Sequence, residues 1–208
     1  SATSSESRSS FSPSWRTKPN TFTASTRRAM PDRKTAAVQS EFKIRKASEA
    51  DLAILAKQRN SMFKEMFPDL QLDYKGYERR FKAWARGMLR KKKLIPFVIT
   101  DATGRPVAGG SLWLRENLPS PRYRGTLQPY LMSMFTETAY RRKGLATMIV
   151  KEAIEWSKKN GYSRLTLHAS EMGEPVYAKQ GFERTTEMRL FLDTSHLGAP
   201  APPHPSRH

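Results

Sequence analysis

Between residues 129 and 182 the sequence sets out a strand-forming run, a basic glycine turn, a helix with one apolar stripe, a second short apolar run and a short helix. That order restricts the fold more than any other feature of the chain. A strand that passes through a tight turn into a helix and returns as a strand is a βαβ unit, and its turn aims the unpaired N–H groups of the first helical residues at one point. Arg141, Arg142 and Lys143 precede Gly144 in this turn, and Leu145, Ala146 and Thr147 open the helix. An anion there would meet backbone donors, the positive end of the helix dipole and three cationic side chains. Gly144 would let it reach the backbone. The same hexapeptide also suits a solvated basic turn that caps an ordinary helix.

The 208 residues have room for one core, expected over 41–195. Residues 1–40 are rich in Ser, Thr, Arg and Pro without apolar periodicity, so they are read as a disordered basic N-terminal extension. Their Arg-rich, acid-poor composition suits a transit segment as well as an extension upstream of an internal start at Met30. Residues 196–208 form a Pro-rich tail, also expected to be disordered. Within the core, residues 41–45 alternate like a strand. Ser48, with Asp51 three residues on, then signals a helix N-terminus. Leu52, Leu55, Met62, Phe63 and Met66 give that helix its apolar stripe, and Pro68 ends it. Tyr77, Phe81, Trp84 and Met88 repeat the pattern in a second helix, whose other face is basic (Arg79, Arg80, Lys82, Arg86). A hairpin follows, with strands over 94–100 and 107–114 about a turn at 101–104, and then a strand over 127–136. The helix after Gly144 points Leu145, Met148, Ile149, Ala153 and Trp156 inward. A buried-type strand over 164–169, a short helix over 173–180 and one or two closing strands over 182–192 complete the expectation.

The absence of cysteine removes disulfides, thiolate metal sites and a cysteine nucleophile. No apolar run approaches the roughly 18 residues of a membrane span, so a soluble, cytoplasmic protein is expected, or an organellar one if 1–40 is a transit segment. The net charge of +18 is concentrated in the extension and the first half of the core. It fits nucleic acid, a membrane surface or a phosphorylated small molecule equally well.

The motifs discriminate among these. Arg141, Gly144 and Ala146 match the phosphate-turn pattern [RQ]-x-x-G-x-[GA], and Tyr177, Gly181 and Phe182 match a Tyr-x-x-x-Gly-Phe signature, so the chain resembles the GNAT superfamily of acetyltransferases. The resemblance implies an α+β (α/β) fold: a mixed, mainly antiparallel sheet of about six to seven strands, with a splayed parallel pair and about four flanking helices. It also implies acetyl-CoA as co-substrate, with no metal. The backbone of Met134, Phe135 and Thr136 would meet the pantetheine arm, residues 141–147 the pyrophosphate, and Tyr177 would protonate the leaving thiolate. Ser170 stands where many members have Asn, which leaves its contact with the cofactor open.

An attacking amine must first lose a proton, which for an alkylammonium of pKa about 10.4 costs roughly 4 to 5 kcal/mol at neutral pH. Glu137, at the end of the splayed strand, is the first candidate base, Glu116 the second, and His168 a third by its place near the acetyl group. A backbone N–H near Phe135 or Thr136 would hold the oxyanion. Basic acceptor helices would repel a polycation, so a small primary amine that also carries an acidic group is favoured as the acceptor. A protein N-terminal or lysine acetyltransferase is the near alternative, a cofactor-binding pseudoenzyme a third reading, and a basic nucleic-acid-binding protein the reading from another class. No helix-turn-helix or zinc-finger spacing supports the last. Pairing of exposed final strands would make a homodimer.

Overall fold

Five strands form one sheet in sequence order: β1 (Lys43–Lys46), β2 (Leu94–Thr100), β3 (Pro106–Glu116), β4 (Leu127–Thr136) and β5 (Thr166–Leu167). The computed structural model describes residues 41–190 apart from 71, 122, 124 and 189, so both flanking segments read as disordered lie outside the described residues. The first three junctions in the sheet are antiparallel and β4–β5 is parallel. Helices α1 (Leu52–Met66), α2 (Tyr74–Arg90), α3 (Leu145–Lys159) and α4 (Glu174–Ala178) flank it.

Strand β2 shows why the sheet is covered on both faces. Its residues are apolar from Leu94 to Ile99, and successive side chains point to opposite faces. Leu94 and Val98 pack into a cluster with Leu52, Leu55, Phe81 and Ala85 of α1 and α2. Ile95, Phe97 and Ile99 pack instead with Leu145, Ile149 and Ala153 of α3. Two separate cores result, one on each side of a common sheet.

Strand β4 carries a bulge. Met132 pairs with Ser111 and Phe135 with Gly109, so Ser133 and Met134 face the single residue Gly110. A Cβ on Gly110 would lie 2.6 Å from the Met134 sulfur and 2.8 Å from Ile149, so only glycine leaves room for the bulged strand. Ser133 adopts φ 57, a left-handed conformation uncommon outside glycine.

Two expectations need correction. No closing strand forms over described residues 182–188, so among the described residues the sheet has five strands rather than six or seven. Glu183 to Met188 are exposed on every side and offer no apolar face to bury against the sheet. Strand β5 is also shorter than the expected 164–169. It pairs with β4 only through Tyr130 with Thr166 and Leu131 with Leu167.

The start of α1 is fixed by a charged pair. Buried Asp51 accepts from both terminal nitrogens of Arg45, at 2.9 and 2.7 Å, and from the Ser48 backbone N–H at 2.9 Å. The Arg45 hydrogen bonds, helped by Ser48, hold its carboxyl at about 2 against the ordinary 3.8. The depressed pKa means that the stabilisation is fully present above pH 4 and is lost as pH falls from about 4 towards 2. Because Arg45 is half-exposed, solvent screening reduces the effect, and Asp51→Asn should lower unfolding free energy by about 1 to 2 kcal/mol at pH 7. Denaturant unfolding at pH 7 and pH 2.5 checks this, with the gap between the two proteins shrinking at the lower pH.

Candidate active site

The end of β4 leads into the basic turn through a short 3-10 helix, Thr138–Tyr140. The Glu137 N–H donates to the Val107 carbonyl at 2.9 Å, so by the alternation of an antiparallel ladder Thr136 faces the other way, towards the edge that β5 leaves open. Its carbonyl accepts there from Arg141 Nε at 3.2 Å. Tyr140 anchors the turn from behind, donating to Asp101 at 2.8 Å and packing edge-on against Phe42. Arg142 and Gly144 both take left-handed conformations, φ 61 and 81. The first intrahelical bond of α3 runs from Met148 to the Gly144 carbonyl, so the N–H groups of Leu145, Ala146 and Thr147 remain for a ligand. Nothing lies within 4 Å of where a Gly144 side chain would begin, so the space in front of the turn is open.

That space belongs to a cleft of about 1320 Å³. The structure brings Met134, Phe135, Thr136, Arg141, Arg142, Gly144, Leu145, Ala146, Thr147, Ser170 and Tyr177 to its walls. Lys143 is not among them. Its ammonium turns to Glu41, 3.8 Å away, and to the rings of Phe42 and Tyr140, so only its backbone belongs to the turn. Arg141 lines the cleft with its guanidinium already bound by Glu65 of α1, at 2.7 and 2.5 Å. Ser170 accepts from the Gly173 N–H at 3.2 Å and so helps to shape the approach to α4.

Tyr177 is buried, 8% exposed, with its ring edge-on to Phe182. Burial raises its pKa, and Tyr130 nearby raises it further. A tyrosine so placed keeps its proton at neutral pH, which an acid requires.

The bases expected from sequence are distributed differently. Glu137 binds Arg105 at 2.5 Å and lines a separate hollow of about 430 Å³ with Gln58 and Thr138, outside the large cleft. Glu116 is exposed at the far end of β3 and binds Lys93 at 2.9 Å, and that lysine lowers its pKa. Neither carboxylate faces the open edge of β4. His168 does line the cleft. Its Nε2 lies 2.9 Å from Glu187 and its Nδ1 meets the hydroxyl of Tyr130. A carboxylate only accepts, so in the neutral ring Nε2 carries the proton and Nδ1 receives the Tyr130 hydroxyl. Arg115 lies over the Tyr130 ring, 3.9 Å from its centre.

The remaining wall was not singled out from sequence as part of a site. Phe63, Tyr77, Phe81, Trp84 and Trp113 converge with Arg59 at the α1–α2 side of the cleft. Phe63, Tyr77, Phe81 and Trp84 read as the buried stripe of two amphipathic helices and Trp113 as a residue of β3, and the helical stripe is wide enough to serve core and cleft at once. Most of the basic face of α2 turns out to be neutralised. Lys82 pairs with Glu78, and Arg86 and Arg90 with Glu49. Of that face only Arg80 reaches the cleft.

Solved structures share this architecture. A GCN5-related N-acetyltransferase from Ralstonia eutropha is 26% identical, with a TM-score of 0.67 over 73% of this chain and 98% of its own. A predicted acetyltransferase from Clostridium acetobutylicum, crystallised with acetyl-CoA, is 22% identical (TM-score 0.66, covering 74% and 96%). Glucosamine-6-phosphate N-acetyltransferase from Arabidopsis thaliana shares the fold at 21% identity (TM-score 0.54, covering 73% and 99%). No curated protein matches the sequence. The family model described as Acetyltransferase (GNAT) family matches residues 56–182, a stretch that runs from α1 through the phosphate turn to the Tyr177–Phe182 signature. With more than half of its length so matched, the chain belongs to the GNAT acetyltransferase family.

Proposed function

We propose that this chain is an acetyl-CoA-dependent N-acetyltransferase that carries the acetyl group to the primary amine of a small molecule in a ternary complex. One observation carries the reading. A single cleft joins the phosphate turn at Gly144, the open edge of β4 and the buried hydroxyl of Tyr177 to an aromatic basin large enough for a small acceptor. The free N–H groups of residues 145–147 suit the pyrophosphate, and the open edge beside Met134 to Thr136 suits the amides of the pantetheine arm. The likeness to the Clostridium acetobutylicum structure with acetyl-CoA supports the same cofactor here.

The residues divide the chemistry as follows. The thioester carbonyl is held near the open edge, where of the two backbone donors considered only Thr136 faces the ligand side. The amine nitrogen forms the new C–N bond as the C–S bond breaks, and Tyr177 gives its proton to the departing thiolate. The amine proton passes to the oxygen of Tyr130 as Tyr130 gives its own to Nδ1 of His168, and Glu187 stabilises the imidazolium that results. This relay replaces Glu137 and Glu116, both of which are committed to cations outside the cleft.

Thiol release from acetyl-CoA with a panel of small amines tests the function. His168→Gln should lower kcat about 10- to 100-fold, while Glu137→Gln should stay within about twofold of wild type. A large loss in Glu137→Gln with an unchanged His168→Gln would return the base to Glu137. A folded chain that binds acetyl-CoA but releases thiol with none of the amines would overturn the enzymatic reading.

A further inference from the structure

Two arginines on the cleft wall, Arg59 and Arg142, have no carboxylate partner among the described residues, and Arg142 belongs to the phosphate turn. Arg59 of α1 is half-buried, and three elements meet on its guanidinium. Its Nε donates to the Tyr77 hydroxyl of α2, its Nη1 donates to the Ser133 hydroxyl of β4, and its Cζ lies 5.0 Å from the ring centre of Phe63 and 5.5 Å from that of Phe81. Both hydrogen-bond partners are neutral. Arg45, Arg86, Arg90, Arg105, Arg141 and Arg184 each have a carboxylate partner, whereas among the described residues none pairs with Arg59. A guanidinium partly withdrawn from water and given only neutral acceptors is costly unless a ligand brings the missing charge.

We propose that Arg59, with the hydroxyls of Tyr77 and Ser133, forms a carboxylate-binding subsite at the acceptor end of the cleft, and that the acceptor is an amino acid with an apolar or aromatic side chain. This rests on the acetyltransferase reading above. Position separates the subsite from the phosphate turn. Glu65, six residues further along α1, is the residue that holds Arg141 of that turn, and six residues of helix span about 9 Å. The fork geometry suits a carboxylate. Nε and one hydrogen of Nη1 are used, which leaves Nη2 and the second Nη1 hydrogen to bind two oxygens side by side. The hydroxyl of Ser133 reaches Arg59 from the bulged, left-handed backbone position of β4, so the guanidinium is fastened to the strand that would present the acetyl group. The neighbouring walls Trp84, Trp113 and Tyr130 accept an apolar body.

The test uses the full chain with phenylalanine, phenethylamine and glucosamine 6-phosphate as acceptor probes, in wild type, Arg59→Gln and Ser133→Ala. Wild type should acetylate phenylalanine with kcat/KM about 10- to 100-fold above phenethylamine. Arg59→Gln should erase that preference by lowering the phenylalanine value alone, Ser133→Ala should reduce it by less, and acetyl-CoA affinity should not change. Equal wild-type values, a preference that survives Arg59→Gln, or equal losses on both amines would overturn the subsite. An Arg59-dependent preference for glucosamine 6-phosphate would overturn the carboxylate assignment in favour of phosphate. If no amine releases thiol, the enzymatic reading fails by itself. The subsite is then decided by calorimetric titration of the CoA-saturated protein with phenylalanine, whose binding must weaken at least tenfold in Arg59→Gln and exceed that of phenethylamine, or the subsite falls too.

Discussion

Gly144→Glu should remove acetyl-CoA binding from a chain that still folds. Gly144 sits at φ 81, which an L residue occupies at a cost of about 1 to 2 kcal/mol, an amount that a domain of this size survives. Nothing in the protein lies within 4 Å of the new Cβ, so the glutamate causes no internal collision. Its side chain instead enters the space in front of the free N–H groups of Leu145, Ala146 and Thr147, where it competes with the pyrophosphate by bulk and opposes it by charge. Calorimetric titration should show affinity falling by more than about 100-fold, equivalent to over about 2.7 kcal/mol. Gly144→Ala carries the same backbone strain without the charge and should lose far less. Wild-type affinity in Gly144→Glu would show that the turn does not hold the phosphates.

Tyr177→Phe should separate chemistry from binding. The ring stays buried against Phe182, so the fold and acetyl-CoA affinity should change little. The proton donor disappears, and kcat should fall by about 100- to 1000-fold. Burial and Tyr130 raise the hydroxyl pKa, so wild-type activity should persist to a pH above the ordinary tyrosine range and then decline as the acid ionises. That alkaline decline should be missing from the Phe variant. Full turnover in Tyr177→Phe across pH would assign the thiolate's proton to another donor.

The parts of the fold that depend on neighbours in sequence were legible in it. Strand β4 occupies 127–136 as its pattern indicates, the turn–helix junction falls at Gly144, and α4 falls inside 173–180. What was not legible depends on distant partners. Ser133 meets Arg59 across 74 positions, and a serine in a left-handed bulge gives no local signal. Arg59 itself reads as the polar side of an amphipathic helix. Glu137 follows a strand that leads to the site, yet its side chain meets Arg105, a partner 32 residues away. The expected closing strands failed for a related reason. The side chains over 183–188 are used one by one, Arg184 on Glu174 and Glu187 on His168, rather than as a face.

The short contact between β4 and β5 has a consequence for the protein's persistence as well as for its site. Pairing stops after Leu131, so the β5-facing peptide groups further along β4 have no ladder partner on that side among the described residues. A row of amides without ladder partners beside an apolar cleft is a template for adding a strand, and a strand from another copy of the chain would serve as well as any ligand. A molecule that offers its own amide groups in line along that edge finishes the sheet and removes the template. Occupancy of the cleft would then govern the lifetime of the folded monomer by mass action: melting temperature and resistance to self-association should both climb with acetyl-CoA concentration, and a pool of the chain starved of it should be the first to aggregate.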